Sequence, residues 1–511
     1  MRIDAFHLPG VDEAGIREWE LREYGGGEVV LRFPVLEPDE IRRLAGRIRA
    51  ARAIHLAELP VGAIVRAIDR VAALLQQRDH PARVLAETAL PVITGYSPPM
   101  VRLILDRMTA DWREPALLEL LRRELGDPGV LDGFRVVEGD EWGGGTPGGA
   151  VGGVDVGAGI DAGPAGGPGA VVLATSPTAP PPQPVRVRAY GPELAFHIFA
   201  GNIPGVAVTS LVRSLLVKSA TLGKTASGDP LLPALFAQIL ADVAPGIGEC
   251  LAVCYWPGTA TALQQAALRE VELAVVYGGG ETVQAVRGML PAGVRLVEHG
   301  PRFSLAAVAR EELAGDAAYR AAAGVARAVA VFDQQGCVSP HVVYVEKGGE
   351  VTPAEFAELV ARELEVVERE LPRGRLSIEE ASAIQQLRGA AEFRALAGRD
   401  VRLFTSAGTE YTVIYDDEPG FTPSCLNRVL RVTPVADLAE IPPHLAPLRA
   451  YLQTVGLAAR GERRAALADL LGRAGVSRIT TLEAMPWPPP TWHHDGQEPM
   501  RELVRWVDWE G

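Results

Sequence analysis

The chain has 511 residues, 48% of them apolar, which is enough for two to four domains with large buried cores. Acidic residues outnumber basic ones by 64 to 50, and the formal net charge of −14 argues against a broad nucleic-acid surface, because phosphates would meet no neutralising face. Four cysteines in so long a chain do not make a disulfide framework, and they predict reduced thiols in the cytoplasm.

The opening, MRIDAFHLPG, has no basic stretch ahead of an apolar one, so no signal peptide is expected. No apolar run approaches the roughly 18 residues of a membrane span. Residues 38–126 read as mostly helical: PDEIRRLAGRIRAARAIHLAEL and VGAIVRAIDRVAALLQQ carry apolar residues at helical spacing. In SPPMVRLILDRM, Ser97 stands at an N-cap ahead of prolines in the first turn. Composition then changes abruptly. Residues 142–184 are rich in glycine and proline without a period, which predicts a flexible insertion or linker. GAGID within it mimics the start of a dinucleotide fingerprint, but no strand precedes it and no helix follows.

From 189 onward, strand and helix patterns alternate with short turns: LAFHIFAG, PGVAVTSLVRSLLV, SATLGK, DPLLPALFAQILADV, CLAVCYW, TATALQQAALREV, LAVVYGG, ETVQAVRGML and VRLVEHG. This order predicts a parallel sheet with helices on both faces, and a ligand beyond the carboxyl ends of its strands. AGNIPG, YGGGE and EHGPR fall at those ends. A second α/β segment runs from 312 to about 480 and contains AVAVFDQQGCVSPHVVYVE, in which Cys337 sits in a turn between a glycine and a strand. The chain closes with TWHHDGQEPMRELVRWVDWEG.

From HIFAGNIPG to LGKTASGDP, and again at VEHGPRFS, QGCVSP, FTPSCLNRVLRV and WHHDG, the sequence resembles the long-chain acyl-CoA reductase (LuxC-like) family. TGYSPPM matches it more weakly. That family looks like a branch of the aldehyde dehydrogenase superfamily. The resemblance therefore implies an α/β, aldehyde dehydrogenase-like fold: a Rossmann-type nucleotide-binding domain, an α/β catalytic domain and a small oligomerisation element. On this reading residues 1–141 form a mostly helical part of the nucleotide-binding region and 185–311 the Rossmann-like domain proper. Residues 312–485 form the catalytic domain, and 486–511 a C-terminal segment suited to oligomerisation.

The resemblance implies that Cys337 is the nucleophile, 39 residues after Glu298, and that Asn202 of the Asn-x-Pro turn is an oxyanion donor. It implies a proton-shuttle role for Glu298, set against a plain surface carboxylate. A reductase must avoid the water activation for which relatives use that position. Lys224, 22 residues after Asn202, matches the lysine at the cofactor's adenosine ribose. Ser227 stands where many NAD-preferring relatives carry an acid, so NADPH is favoured over NADH. Lys218 is a weaker candidate. Gly278, Gly279 and Gly280 lie between a strand and a helix and can approach a pyrophosphate with their N–H groups, although G-x-G-x-x-G is absent.

Cys250, Cys254 and Cys425 read as packing residues. No metal site is expected: the adjacent His493 and His494 point to opposite sides of an extended chain, and HHD suits a structural or interface role. The superfamily's glutamate ahead of a Phe-Gly-Pro turn has no counterpart in SCLNRVLRV.

The implied activity is reduction of an acyl-CoA or acyl-protein thioester to a fatty aldehyde by NADPH through a Cys337 acyl-enzyme. The implied assembly is a homo-oligomer, joined in some members by an acyl-protein synthetase. The alternatives are a CoA-acylating aldehyde dehydrogenase acting on shorter aldehydes, and a non-catalytic acyl-carrying scaffold.

Overall fold

A computed structural model describes residues 1–11, 13–136 and 185–510. The Gly/Pro-rich stretch 142–184 lies outside the described residues. A three-stranded sheet opens the chain, with Val29–Pro34 between Arg2–Asp4 and Trp19–Tyr24. Five helices follow: Pro38–His55, Val61–Gln76, Pro81–Thr94, Pro98–Asp111 and Glu114–Leu125. The helical expectation for 38–126 thus holds, and the N-terminal sheet adds to it. In Val61–Gln76 the buried residues Ile64, Val65, Ile68, Val71, Ala72 and Leu75 form one stripe at a 3.6-residue period. Ser97 does precede a helix, but its hydroxyl makes no capping bond.

Five parallel strands follow in the spatial order Arg295–His299, Leu273–Tyr277, Leu194–Ile198, Ala220–Thr225, Leu251–Tyr255. All but Arg295–His299 are buried throughout, as a parallel sheet covered on both faces requires. The order reverses between Leu194–Ile198 and Leu273–Tyr277. The turns leaving those two strands, AGNIPG and GGG, open side by side at the switch point.

Only three residues separate His299 from the first strand of a second sheet, Phe303–Val308. The change of sheet therefore comes at 300–302, earlier than the expected boundary at 311. The second sheet has seven strands, ordered Val401–Thr405, Thr412–Asp416, Val429–Val435, Pro340–Glu346, Phe303–Val308, Leu452–Ala458, Arg478–Thr480. Its pairings are parallel except the first. The last strand of the chain, Arg505–Trp509, pairs antiparallel with Arg186–Tyr190, which also pairs with Arg135–Val136. Between Thr480 and Arg505 the chain crosses back over the junction of the two large sheets. No helix among the described residues is long and apolar enough to cross a membrane.

The turn that carries Cys337 is held in an unusual backbone state. Phe332, Asp333 and Gln334 have φ of 58°, 47° and 65°, and the facing Leu426, Asn427 and Arg428 have 65°, 56° and 63°. A non-glycine residue in this region costs about 1–2 kcal/mol, so both turns need external support. Arg428, fully buried, supplies it. Its guanidinium lies 2.7 Å from Asp333 and 2.6 Å from Glu368, and donates to the Leu371 carbonyl at 2.8 Å. The other Asp333 oxygen accepts the Gly374 N–H, and the Asp333 carbonyl accepts the Asn427 N–H. Gln334 donates to the carbonyls of Pro340 and Val429 and accepts the Val429 N–H. Removing one partner of such a buried pair costs about 3–5 kcal/mol. Arg428→Met is therefore expected to lower the unfolding free energy by about that amount, read as a lower denaturant midpoint at unchanged slope. An unchanged midpoint would show that the two turns hold themselves.

Candidate active site

The two large sheets and the returning C-terminal segment enclose a cavity of about 1050 Å³. Cys337, Asn202, Lys224, Ser227, Gly278 and Gly279 all line it. Gly280 begins the helix Gly280–Met289 behind the other two glycines and does not reach the wall.

Cys337 is half-buried. Burial and the Asp495 carboxylate push its thiol up to about 12, against a hydrogen bond from Gln453, its own backbone N–H and the charge of Arg302. Gly336 lies close beneath it: a Cβ there would come within 3.2 Å of Phe332 and Ser339 and 3.3 Å of Ile203, so only glycine fits without displacement. The Cys337 carbonyl accepts the Ser304 hydroxyl at 2.6 Å.

Asn202 donates one amide N–H to the Gln335 carbonyl at 2.9 Å, which leaves the second amide hydrogen for another acceptor. Tyr96, buried in TGYSPPM, donates its hydroxyl to the Asn202 carbonyl at 2.7 Å and is 3.1 Å from that of Phe332. One side chain of the helical region thus ties the asparagine turn to the cysteine turn.

Lys224 is the penultimate residue of the strand Ala220–Thr225 and is buried, and burial pushes its ammonium down to about 8. Its Nζ stands 6.0 Å from the Trp256 ring, and no carboxylate pairs with it among the described residues. Ser227 is exposed at the rim, its carbonyl accepting the Tyr24 hydroxyl. A buried cation without a carboxylate partner, two wall glycines and the start of a helix suit an anionic dinucleotide. Lys218 points elsewhere, 2.6 Å from Asp132.

Glu298 is not brought to the cavity. It alternates with His299 along Arg295–His299, so the two side chains leave opposite faces of the sheet. Glu298 is gripped through both oxygens by Arg287, at 2.7 and 2.6 Å, while His299 lines the cavity. The terminal HHD motif also divides. His493 is exposed, and His494 and Asp495 reach the cavity wall beside Cys337's neighbours. HHD therefore belongs to the site and not only to a structural surface.

Asp495 has a fully buried side chain, and its backbone φ is 58°. It accepts from His299 Nδ1 at 2.9 Å and Gln453 Nε2 at 2.6 Å, and pairs with Arg302 at 2.9 Å. Burial alone would raise its carboxyl; the His299 hydrogen bond and the nearby histidines and arginine outweigh that and hold it well below the usual carboxylate range. The rings of Tyr277, His299, His494 and Trp492 stack in sequence, with centroids 4.4, 4.3 and 4.7 Å apart. Ligand atoms of His299, His494 and Asp495 lie within 4.8 Å of one another. Arg302 and Gln453 also contact the Asp495 carboxylate. Sequence reasoning missed His299, Arg302, Gln453 and Tyr96. The one available signal was that VEHGPR and WHHDG both recur in the resemblance.

Cys250 and Cys254 are buried, as expected. Both are packed in the core and neither lines the cavity, so neither competes with Cys337 as a reactive group there.

A parallel and a largely parallel sheet, closing on a cysteine from one side and on a buried lysine and a glycine turn from the other, form an aldehyde dehydrogenase-like fold. Solved structures share this fold at low identity. An oxidoreductase from Marinobacter aquaeolei matches with a TM-score of 0.71 and 13% identity, covering 99% of this chain and 97% of its own. An NADP-dependent glyceraldehyde-3-phosphate dehydrogenase from Bacillus halodurans C-125, complexed with NADP, matches with a TM-score of 0.69 and 14% identity, over 99% and 98%. The family model described as acyl-CoA reductase (LuxC) matches residues 56–150 and 181–506, and the chain belongs to that family. Among curated relatives, the long-chain acyl-protein thioester reductase of Aliivibrio fischeri is 29% identical over 63% of this chain and 65% of its own length. That of Photobacterium phosphoreum is 25% identical over 63% and 64%. The chain thus spans just under two-thirds of the length of these relatives.

Because Glu298 stands in an exposed ion pair, Glu298→Gln is expected to change stability by at most about 1 kcal/mol. It should change the alkylation rate of Cys337 by no more than about two-fold. A hundred-fold change in that rate would return Glu298 to the chemistry.

Proposed function

We propose that this protein is an acyl-thioester reductase that converts a long-chain acyl-CoA or acyl-protein to a fatty aldehyde at Cys337, using NADPH. The observation that carries this reading is the placement of Cys337, the Asn202 amide and the Lys224 cradle on one cavity wall system. Apolar lining by Trp112, Leu117, Leu120, Val206 and Trp487 supports a long acyl chain over a short aldehyde. The names of the curated relatives support a thioester donor. Four free cysteines suit a reducing, cytoplasmic setting.

The Cys337 sulfur attacks the thioester carbonyl. Charge gathers on the carbonyl oxygen, where the second Asn202 amide N–H and the Cys337 backbone N–H stabilise it. The donor thiolate leaves, and the acyl group stays on Cys337. The dihydronicotinamide, when bound, supplies the hydride. Asn202 then holds the oxygen of the resulting thiohemiacetal until it collapses and Cys337 departs as the thiolate. Lys224 and Ser227 hold the adenosine end. Ser227 donates to a 2′-phosphate where a carboxylate would repel it.

Intact-protein mass spectrometry after incubation with long-chain acyl-CoA tests the reading. The wild type is expected to gain one acyl mass that disappears on adding NADPH, and Cys337→Ala is expected to gain none. An adduct on Cys337→Ala, or an adduct that NADPH leaves in place, would refute it. For the cofactor, Ser227→Asp is expected to weaken NADPH binding by about ten-fold or more, with NADH changed less, in a fluorescence titration. Equal weakening of both would remove Ser227 from the 2′-phosphate.

A further inference from the structure

We propose that His299 is the proton carrier of Cys337 and that Asp495, from the end of the chain, is its positioning residue; this rests on the acyl-reductase reading above. A thiol held protonated by burial must pass its proton to a neighbour before it can attack. The described carboxylates on the cavity wall are Asp111, Glu281 and Asp495. Of these, Asp495 alone adjoins Cys337's partners, since Gln453 bonds both. Both Asp495 oxygens are already occupied, and its surroundings favour the ionised form, so it orients and balances charge and does not accept a proton.

His299 has what Asp495 lacks. Its Nδ1–H donates to Asp495, which leaves Nε2 with a lone pair. The stacks on Tyr277 and His494 hold the plane of the ring, and the Asp495 bond fixes which nitrogen faces the carboxylate. His299 and Cys337 line the same cavity and are linked through Gln453 and Asp495. The charged and titratable groups around the imidazole are Asp495, Arg302, His494, His197, Arg213 and Tyr277. His197 and His494 are held neutral by burial, with values near 3, and Asp495 opposes the two arginines.

The proton balance closes. As the Cys337 sulfur bonds to the acyl carbon, the S–H proton moves to His299 Nε2. As the bond from that carbon to the donor sulfur breaks, Nε2 returns the proton to the departing thiolate. The acyl carbon held on Cys337 then takes the hydride that a bound dihydronicotinamide would supply. When the thiohemiacetal oxygen re-forms C=O, Cys337 leaves as thiolate and regains a proton through His299 from solvent. One hydride and one proton are consumed for each aldehyde.

The full-length wild type, His299→Ala, His299→Gln and Asp495→Asn are compared in two assays without cofactor. The first is the rate of acyl-enzyme formation from long-chain acyl-CoA, read by intact mass. The second is the iodoacetamide alkylation rate of Cys337 as a function of pH. His299→Ala is expected to acylate roughly 100-fold slower or worse, to regain rate with added imidazole, and to lose an alkylation inflection in the imidazole range. Asp495→Asn is expected to slow acylation without rescue by imidazole. Acylation and alkylation by His299→Ala within about three-fold of wild type at every pH, or no imidazole rescue in a folded His299→Ala, would overturn the relay. If His299→Ala does not fold, His299→Gln and the wild-type profile decide, and a wild-type profile with no inflection in the imidazole range overturns it. A wild type that alkylates with that inflection but accepts no acyl group sinks the reductase reading and leaves the relay standing.

Discussion

The contact on which the site depends is the buried ion pair of Arg428 with Asp333. It joins two turns of three left-handed residues each, one leading into Cys337 and the other ahead of the strand Val429–Val435. Neither turn would persist alone, because each of its residues carries a Cβ that the left-handed region crowds. Together they are cross-braced by Arg428, Gln334, Asn427 and the Gly374 N–H, all in the protein interior. The sulfur is thereby aimed from a rigid edge, and the strain is borne by a network that does not itself touch the cavity chemistry.

Around that fixed sulfur, three parts of the chain far apart in sequence converge. Tyr96 brings the helical region to Asn202 and Phe332. The switch point of the five-stranded sheet brings the asparagine turn and the glycine turn together. The returning C-terminal segment brings His494 and Asp495. That segment is anchored on both sides: Glu124 accepts the N–H groups of Met500 and Arg501, and Arg295 donates to carbonyls of Glu502, Leu503 and Val504. Its end is stitched into a small sheet by Arg505–Trp509.

On the proposed chemistry, the placement of acid groups has a consequence. An acyl-enzyme is lost to hydrolysis when a free carboxylate activates water beside it. Glu298 is turned outward and tied to Arg287, and both Asp495 oxygens are already engaged by His299, Gln453 and Arg302.

The alternation of apolar strands and amphipathic helices determined, by itself, the parallel sheet, its helical cover and the turns at its carboxyl ends. These are local properties, set by side-chain period and by glycine and proline at turns. Spacing and resemblance also singled out Cys337, Asn202, Lys224, Ser227 and the glycines Gly278 and Gly279, which the fold brings to one cavity. What the sequence left open was which way neighbours on a strand point. Glu298 and His299 differ by one residue, and a period of two sends them to opposite faces; only the packing of helix Gly280–Met289, with Arg287, fixes which face is outward. Tertiary structure alone also decided that WHHDG joins the cavity and that Arg428, Gln453 and Tyr96 matter. Their partners lie tens to hundreds of residues away, and such contacts leave no local pattern to read.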